Sequence, residues 1–314
     1  MRGADVGIYI PQVTGSYEEV LAQARRVEEL GLGSFWLFDH LYTPMLPDRP
    51  ALEAWTLATA LLANTTELRV GHLVLDNNVR HPALLAQMVA TLDVVSAGRL
   101  ELGLGSGSVA IEHEQAGLPW GTMAERSGRL AEALAIITGL LTSGDENFTF
   151  AGEHYQVRDL PCRPGPVQRP HPPLHIGGAG PRYTLPLVAQ YADVWNVPTY
   201  ALGDWAKTGA ALDGCCEAVG RDPATLKRSH EAVLVLAPDE ASLPAARERA
   251  LRRYPGEGFG VEAGGYVGTP GQVAEHMAGM VDAGIDQFVF IPYDRGRDDV
   301  LDLLAGEVLP LLAG

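Results

Sequence analysis

At 314 residues, with 46% hydrophobic and 20% charged, the chain carries enough apolar content for a large core, which excludes disordered and fibrous classes. A formal net charge of −16 with no block of Lys or Arg excludes a surface built for nucleic acid or an anionic membrane, since either needs a basic patch. The three cysteines, Cys162 and the adjacent Cys215 and Cys216, form no CxxC spacing and give neither a disulfide framework nor a thiolate metal site, so a reducing cytoplasm is the expected home.

The N-terminal "MRGADVGIYIP" has an apolar run too short for a signal-peptide core. Its residues 5–10 read as a strand, followed by a helix over 17–31 in which Val20, Leu21, Ala24, Val27 and Leu30 recur at helical spacing before Gly31. The same strand-then-helix pattern repeats as 34–38 with 51–64, 68–75 with 81–96, and 99–105 with 123–141. Residues 145–173 break the rhythm. They combine β-branched and aromatic residues around Ala151-Gly152 with the proline-rich "PCRPGPVQRPHPPLH", and read as an insertion. Units resume as 174–178 with 182–191, 193–197 with 203–219, 229–237 with 240–253 and 270–283, and 287–291 with 298–312. Eight units predict a single (β/α)8 TIM barrel over 1–314, with an insertion after the fourth βα unit; a doubly wound open sheet is the competing architecture.

In such a barrel the chemistry lies at the carboxyl ends of the strands. The stretch "FWLFDHLYTP" (35–44) places Asp39 and His40 at one of them, either as a catalytic pair or as a polar turn. The string "GLGSGS" (103–108) is a poor dinucleotide fingerprint. It reads equally as a tight turn or as backbone approaching a cofactor phosphate, with Ser106 as a donor. "HIGGAGPR" (175–182) uncovers backbone N–H groups at Gly177, Gly178 and Gly180 just before a helix, which favours an anion, and Arg182 adds charge. The nine histidines make no HExxH, "EHEQ" (112–115) lacks ligand spacing, and no metal is expected; GxSxG and P-loop motifs are also missing.

The stretches "FWLFDHLYTP", "RHPALLAQMVATLDVVSAGRLELGLGSG", "EHEQAGLPWGTMAERSGRLAEALAII", "PVQRPHPPLHIGGAGPRYTLPLVAQYADVWN" and "VGTPGQVAEHM", in this order, resemble the luciferase-like monooxygenase superfamily along the whole chain. The likeness is closest to its branch that uses the deazaflavin coenzyme F420. It implies a (β/α)8 barrel in which Asp39 positions the cofactor and His40 gives or takes a proton. It also implies a cis peptide between Leu73 and Val74 under one ring face, and phosphate contacts from Ser106, Gly107, Gly177, Gly178, Ala179 and Gly180. Two positions depart from the family pattern: Ser108 and Val109 replace Trp-Asn or an acid, and His72 replaces Thr.

The activity implied is hydride transfer between F420 and a small organic substrate, by a cytoplasmic homodimer that binds neither nucleic acid nor membrane. The alternatives are a monooxygenase using reduced FMN and O2, and a non-catalytic flavin-binding protein.

Overall fold

The structure, a computed structural model, describes residues 5–43, 46–254, 260–297 and 299–313. Pro44, at the end of the "FWLFDHLYTP" stretch, and Asp298, at the expected start of the last helix, lie outside the described residues. Eight parallel strands form the barrel: β1 (Asp5–Tyr9), β2 (Ser34–Leu37), β3 (Arg69–His72), β4 (Leu100–Gly105), β5 (Leu174–Gly177), β6 (Val194–Pro198), β7 (Lys227–Leu236) and β8 (Gln287–Pro292). Each pairs with the next, and β8 returns to β1 through Val6↔Phe288 and Ile8↔Phe290, so the sheet closes. Closure leaves one face inside the barrel and the other under helices, and hence the strands read as continuous apolar runs. In β2 all four residues are buried: Trp36 lies inside, its Nε1 donating to Ser34 Oγ at 2.8 Å, while Phe35 and Leu37 alternate with them. Gly7 has no side chain because a Cβ there would collide with Ser34 and Trp36.

The helices begin where their caps say they should. Ser16 accepts from Glu19 N–H before the helix Tyr17–Glu29; Pro82 opens Pro82–Val95; Thr122 and Glu125 form a capping box for Met123–Thr142. At the amino-terminal end of the barrel Glu101 accepts from Arg69 and from His175 Nε2 (2.8 Å), and His175 stands edge-on to Trp36. Burial opposes the charge on Glu101, but the His175 and Arg69 contacts overcome it and hold the carboxyl below its ordinary range. Conserving charge at this end is a matter of stability, since the loops at the other end carry the site.

Five features go beyond the periodic pattern. A two-residue strand, Leu75–Asp76, continues past β3 and pairs with β4, and Tyr266–Gly268 pairs with the carboxyl half of β7. A short helix, Ala110–Ala116, follows β4. Within 145–173, Phe148–Ala151 and Gln156–Leu160 form an antiparallel pair separate from the barrel sheet. The last helix is not continuous, since a π-helical stretch over Leu304–Val308 joins two α-helical ends. Among the described residues no helix is long and apolar enough to cross a membrane.

Candidate active site

His40 lies three residues beyond β2, its ring partly exposed and tilted against Phe38. Its Nδ1 is 2.8 Å from Glu112 Oε2, and the next backbone N–H, that of Leu41, donates to Glu112 Oε1. Glu112 is buried in the first turn of Ala110–Ala116, so the loop after β4 reaches across to the end of β2. His40 Nε2 makes no bond to the described residues.

Asp39 is held quite differently. Arg80 grips it with two bonds (2.6 and 2.9 Å), and Asp76 N–H adds a third at 2.8 Å. Arg80 also reaches Glu53 Oε1 at 2.6 Å. Burial opposes the Arg80 charge, and Asp39 and Glu53 more than offset it, raising its pKa further. Burial likewise works against Glu53, yet its bonds to Thr56, Trp55 and Arg80 bring it down to about 2. Both oxygens of Asp39 are thus engaged within the protein, by Arg80 and the Asp76 N–H, and they fasten the end of β2 to the segment after β3. Asp39, Leu41, Asp76, Val79, Glu112, His113 and Leu118 line a small cleft here.

The Leu73–Val74 peptide is cis, where the resemblance placed it. Val74 then occupies the space left by three glycines: a Cβ at Gly105 would clash with its Cγ2, and those at Gly103 and Gly177 would come within 3.3 Å of its Cγ1. At Gly103 the His72 carbonyl also takes the Cβ position. Two glycines of "GLGSGS" are therefore spaces for Val74 and the strand behind it, while Gly107, with φ +84°, makes the turn. Gly107 lies against the Asp76 carboxylate, which discourages an anion at Ser106 and Gly107. His72 points away from the barrel axis, stacks on Trp55 (5.6 Å), places Nε2 3.2 Å from the Ala54 carbonyl, and burial lowers its pKa. Its departure from the family pattern is a packing solution.

In "HIGGAG" the backbone divides the expected phosphate contacts. Gly178 N–H donates to the Asn196 carbonyl (3.0 Å), and its own carbonyl accepts from Trp195 Nε1 (2.7 Å), so this N–H is spent inside the barrel wall. Gly178 keeps φ at +108°, which explains the glycine. The N–H groups of Ala179 and Gly180 make no bond among the described residues, and they precede the helix Thr184–Tyr191, whose first turn has no side-chain cap. Of the expected contacts in this stretch, Gly178 has its N–H committed to Asn196, while Ala179 and Gly180 keep theirs unbonded among the described residues.

Sequence reasoning missed Arg80, Asp76 and Glu112. Each meets its partner across 37 to 72 residues of chain, and no local pattern marks such a pairing. "EHEQ" lacks metal-ligand spacing, and nothing in its local pattern shows that Glu112 meets His40.

The luciferase-like monooxygenase family matches residues 5–259. The chain belongs to that family. Among its relatives, the F420-dependent hydroxymycolic acid dehydrogenase of Mycobacterium tuberculosis is 30% identical over 98% of this chain and 88% of its own length. The F420-dependent glucose-6-phosphate dehydrogenase of Kineococcus radiotolerans is 29% identical over 92% of this chain and 91% of its own. In fold, this luciferase-like chain superposes on an F420-dependent secondary alcohol dehydrogenase, solved with an F420-acetone adduct, with a TM-score of 0.80 at 21% identity, covering 98% and 99% of the two chains. The family's barrel and cis-linked strand end are thus both present here, and the chain is an oxidoreductase.

Proposed function

We propose that this chain is an F420-dependent oxidoreductase that interconverts an alcohol and a carbonyl compound. The observation that carries the reading is the convergence of three groups on one barrel mouth: the Val74 wall, the unbonded Ala179 and Gly180 N–H groups, and the partly exposed ring of His40. They suit a flat redox cofactor with an anionic tail: an apolar surface for a ring, backbone donors at a helix start for phosphate, and a base beside the reacting carbon. The full-length relatives named as F420-dependent dehydrogenases favour F420 over FMN.

When bound, F420 supplies a ring carbon that accepts or returns a hydride. The protein's own part is to hold the substrate carbinol against that face and to move the hydroxyl proton at His40 Nε2. Val74 and the glycines around it shape the wall; Ala179 and Gly180 anchor the tail; Asp39, through Arg80 and the Asp76 N–H, fastens the end of β2 to the segment after β3. The same reading takes the enzyme as a cytoplasmic homodimer acting on a small-molecule substrate, without nucleic-acid or membrane partners.

Titration of the purified protein with F420 and with FMN, followed by fluorescence, tests it. F420 should bind at least tenfold more tightly, and alcohol oxidation should proceed without oxygen uptake. Equal or absent binding of both ligands would remove the cofactor assignment, and stoichiometric oxygen consumption would favour the FMN monooxygenase.

A further inference from the structure

Ser108 leaves the turn after β4 without an acid, yet an acid one helical turn further on meets His40. Glu112 is 5% exposed and has both oxygens committed to one short segment: Oε2 to His40 Nδ1 at 2.8 Å and Oε1 to the Leu41 N–H. The other acids around the cleft are occupied elsewhere, Asp39 by Arg80 and Asp76 N–H, and Asp76 by the backbone N–H and side-chain amide of Asn78. An ionised carboxylate can only accept hydrogen bonds. The neutral ring facing Glu112 therefore carries its proton on Nδ1, and the lone pair falls to Nε2, which makes no bond among the described residues.

We propose that Glu112 is a positioning residue for the reaction, fixing His40 in the Nδ1–H tautomer so that Nε2 is the atom that handles the substrate proton. This rests on the reading of His40 given above. In the oxidising direction the substrate O–H bond breaks and its proton passes to Nε2. The carbinol C–H electron pair would leave as hydride as the C=O bond forms, and bound oxidised F420 would be its acceptor. The ring is then a cation next to the Glu112 carboxylate, which compensates a charge that a neutral neighbour could not. Glu112 also ties the end of β2 to the helix after β4, holding the ring at one angle while the substrate changes.

The test begins with the apoprotein, independent of turnover. With ¹⁵N-labelled histidine, and with the His40 signals identified by their loss in His40→Ala, wild type should show Nδ1 protonated and Nε2 unprotonated in the neutral ring. A wild-type ring protonated on Nε2 overturns the proposal outright. In Glu112→Ala the Nδ1–H signature should be lost, kcat for alcohol oxidation should fall by roughly ten- to a hundredfold, and KM and F420 affinity should stay within about twofold. Glu112→Asp, which keeps a carboxylate, should recover part of the lost kcat and retain the tautomer. In a His40→Ala background, Glu112→Ala should cost nothing further.

Unchanged kcat and tautomer in Glu112→Ala would reduce Glu112 to a structural clamp even if His40 is essential. A fully active His40→Ala enzyme would instead sink the underlying reading of His40. If Glu112→Ala does not fold, the wild-type tautomer and the Asp variant still decide.

Discussion

Adjacent in sequence, Asp39 and His40 do different physical work. Asp39 and Arg80 are both largely buried and share two bonds, so removing one leaves the other's charge without its main partner, at a cost of roughly 3–5 kcal/mol. His40 is partly exposed, and losing its ring removes one bond to Glu112. Urea unfolding should therefore show Asp39→Ala to be strongly destabilised and His40→Ala to be within about 1 kcal/mol of wild type, whereas His40→Ala should lose turnover by about a hundredfold or more. Comparable stability losses in the two variants would assign the pair a single structural role. The sequence showed that an acid and a histidine stand at a strand end. Which one is free to act was settled by Arg80, 41 residues away.

For the elements, strand β4 gives a sharper view of why the glycines are there. Gly105 faces Val74 Cγ2, a side chain that can be cut back, while Gly103 faces the His72 carbonyl, which cannot. Gly105→Ala should cost about 1–3 kcal/mol through overpacking, and Val74→Ala should relieve most of that loss in the double variant. Gly103→Ala should be destabilising with no rescue by Val74→Ala. Equal coupling of both glycines to Val74, measured by denaturation of wild type, the three single variants and the two pairs, would contradict this account of the strand. Periodicity and caps made the barrel's eight strands and most of its helices legible. The "GLGSGS" glycines stayed ambiguous because a turn, a phosphate and a neighbouring side chain all ask for the same missing Cβ.

Across the whole molecule, two neighbours on β7 face opposite ways and titrate in opposition. Inside the barrel, burial pushes Glu231 up to about 7 despite a bond from Asn196; on the other side, burial and the charge of His276 push His230 down to about 4. The raised Glu231 contributes stability that is complete below about pH 4.5 and is lost as pH rises through about 7. The depressed His230 does the reverse, with stability complete above about pH 6.5 and lost as pH falls through about 4. Each amounts to about 3 kcal/mol, and between pH 4.5 and 6.5 their slopes cancel. Glu231→Gln removes one of the pair. Relative to wild type it should gain about 2–3 kcal/mol more at pH 8 than at pH 5, measured by urea denaturation. The same difference at both pH values would mean that Glu231 ionises as an exposed carboxyl does.

What the sequence by itself determined is the part that depends on local repetition. Apolar runs at strand length, helical spacing, caps and the motif order specified eight βα units and the family they resemble, because each signal lies within a few residues of the structure it predicts. The tertiary structure alone decided who partners whom at the mouth. It gave Asp39 to Arg80, His40 to Glu112 and the Gly178 N–H to the barrel wall, and among the described residues it left the Ala179 and Gly180 N–H groups unbonded. Barrel closure brings together strand ends that lie tens of residues apart, and a hydrogen bond depends on distance and angle, which no spacing along the chain encodes.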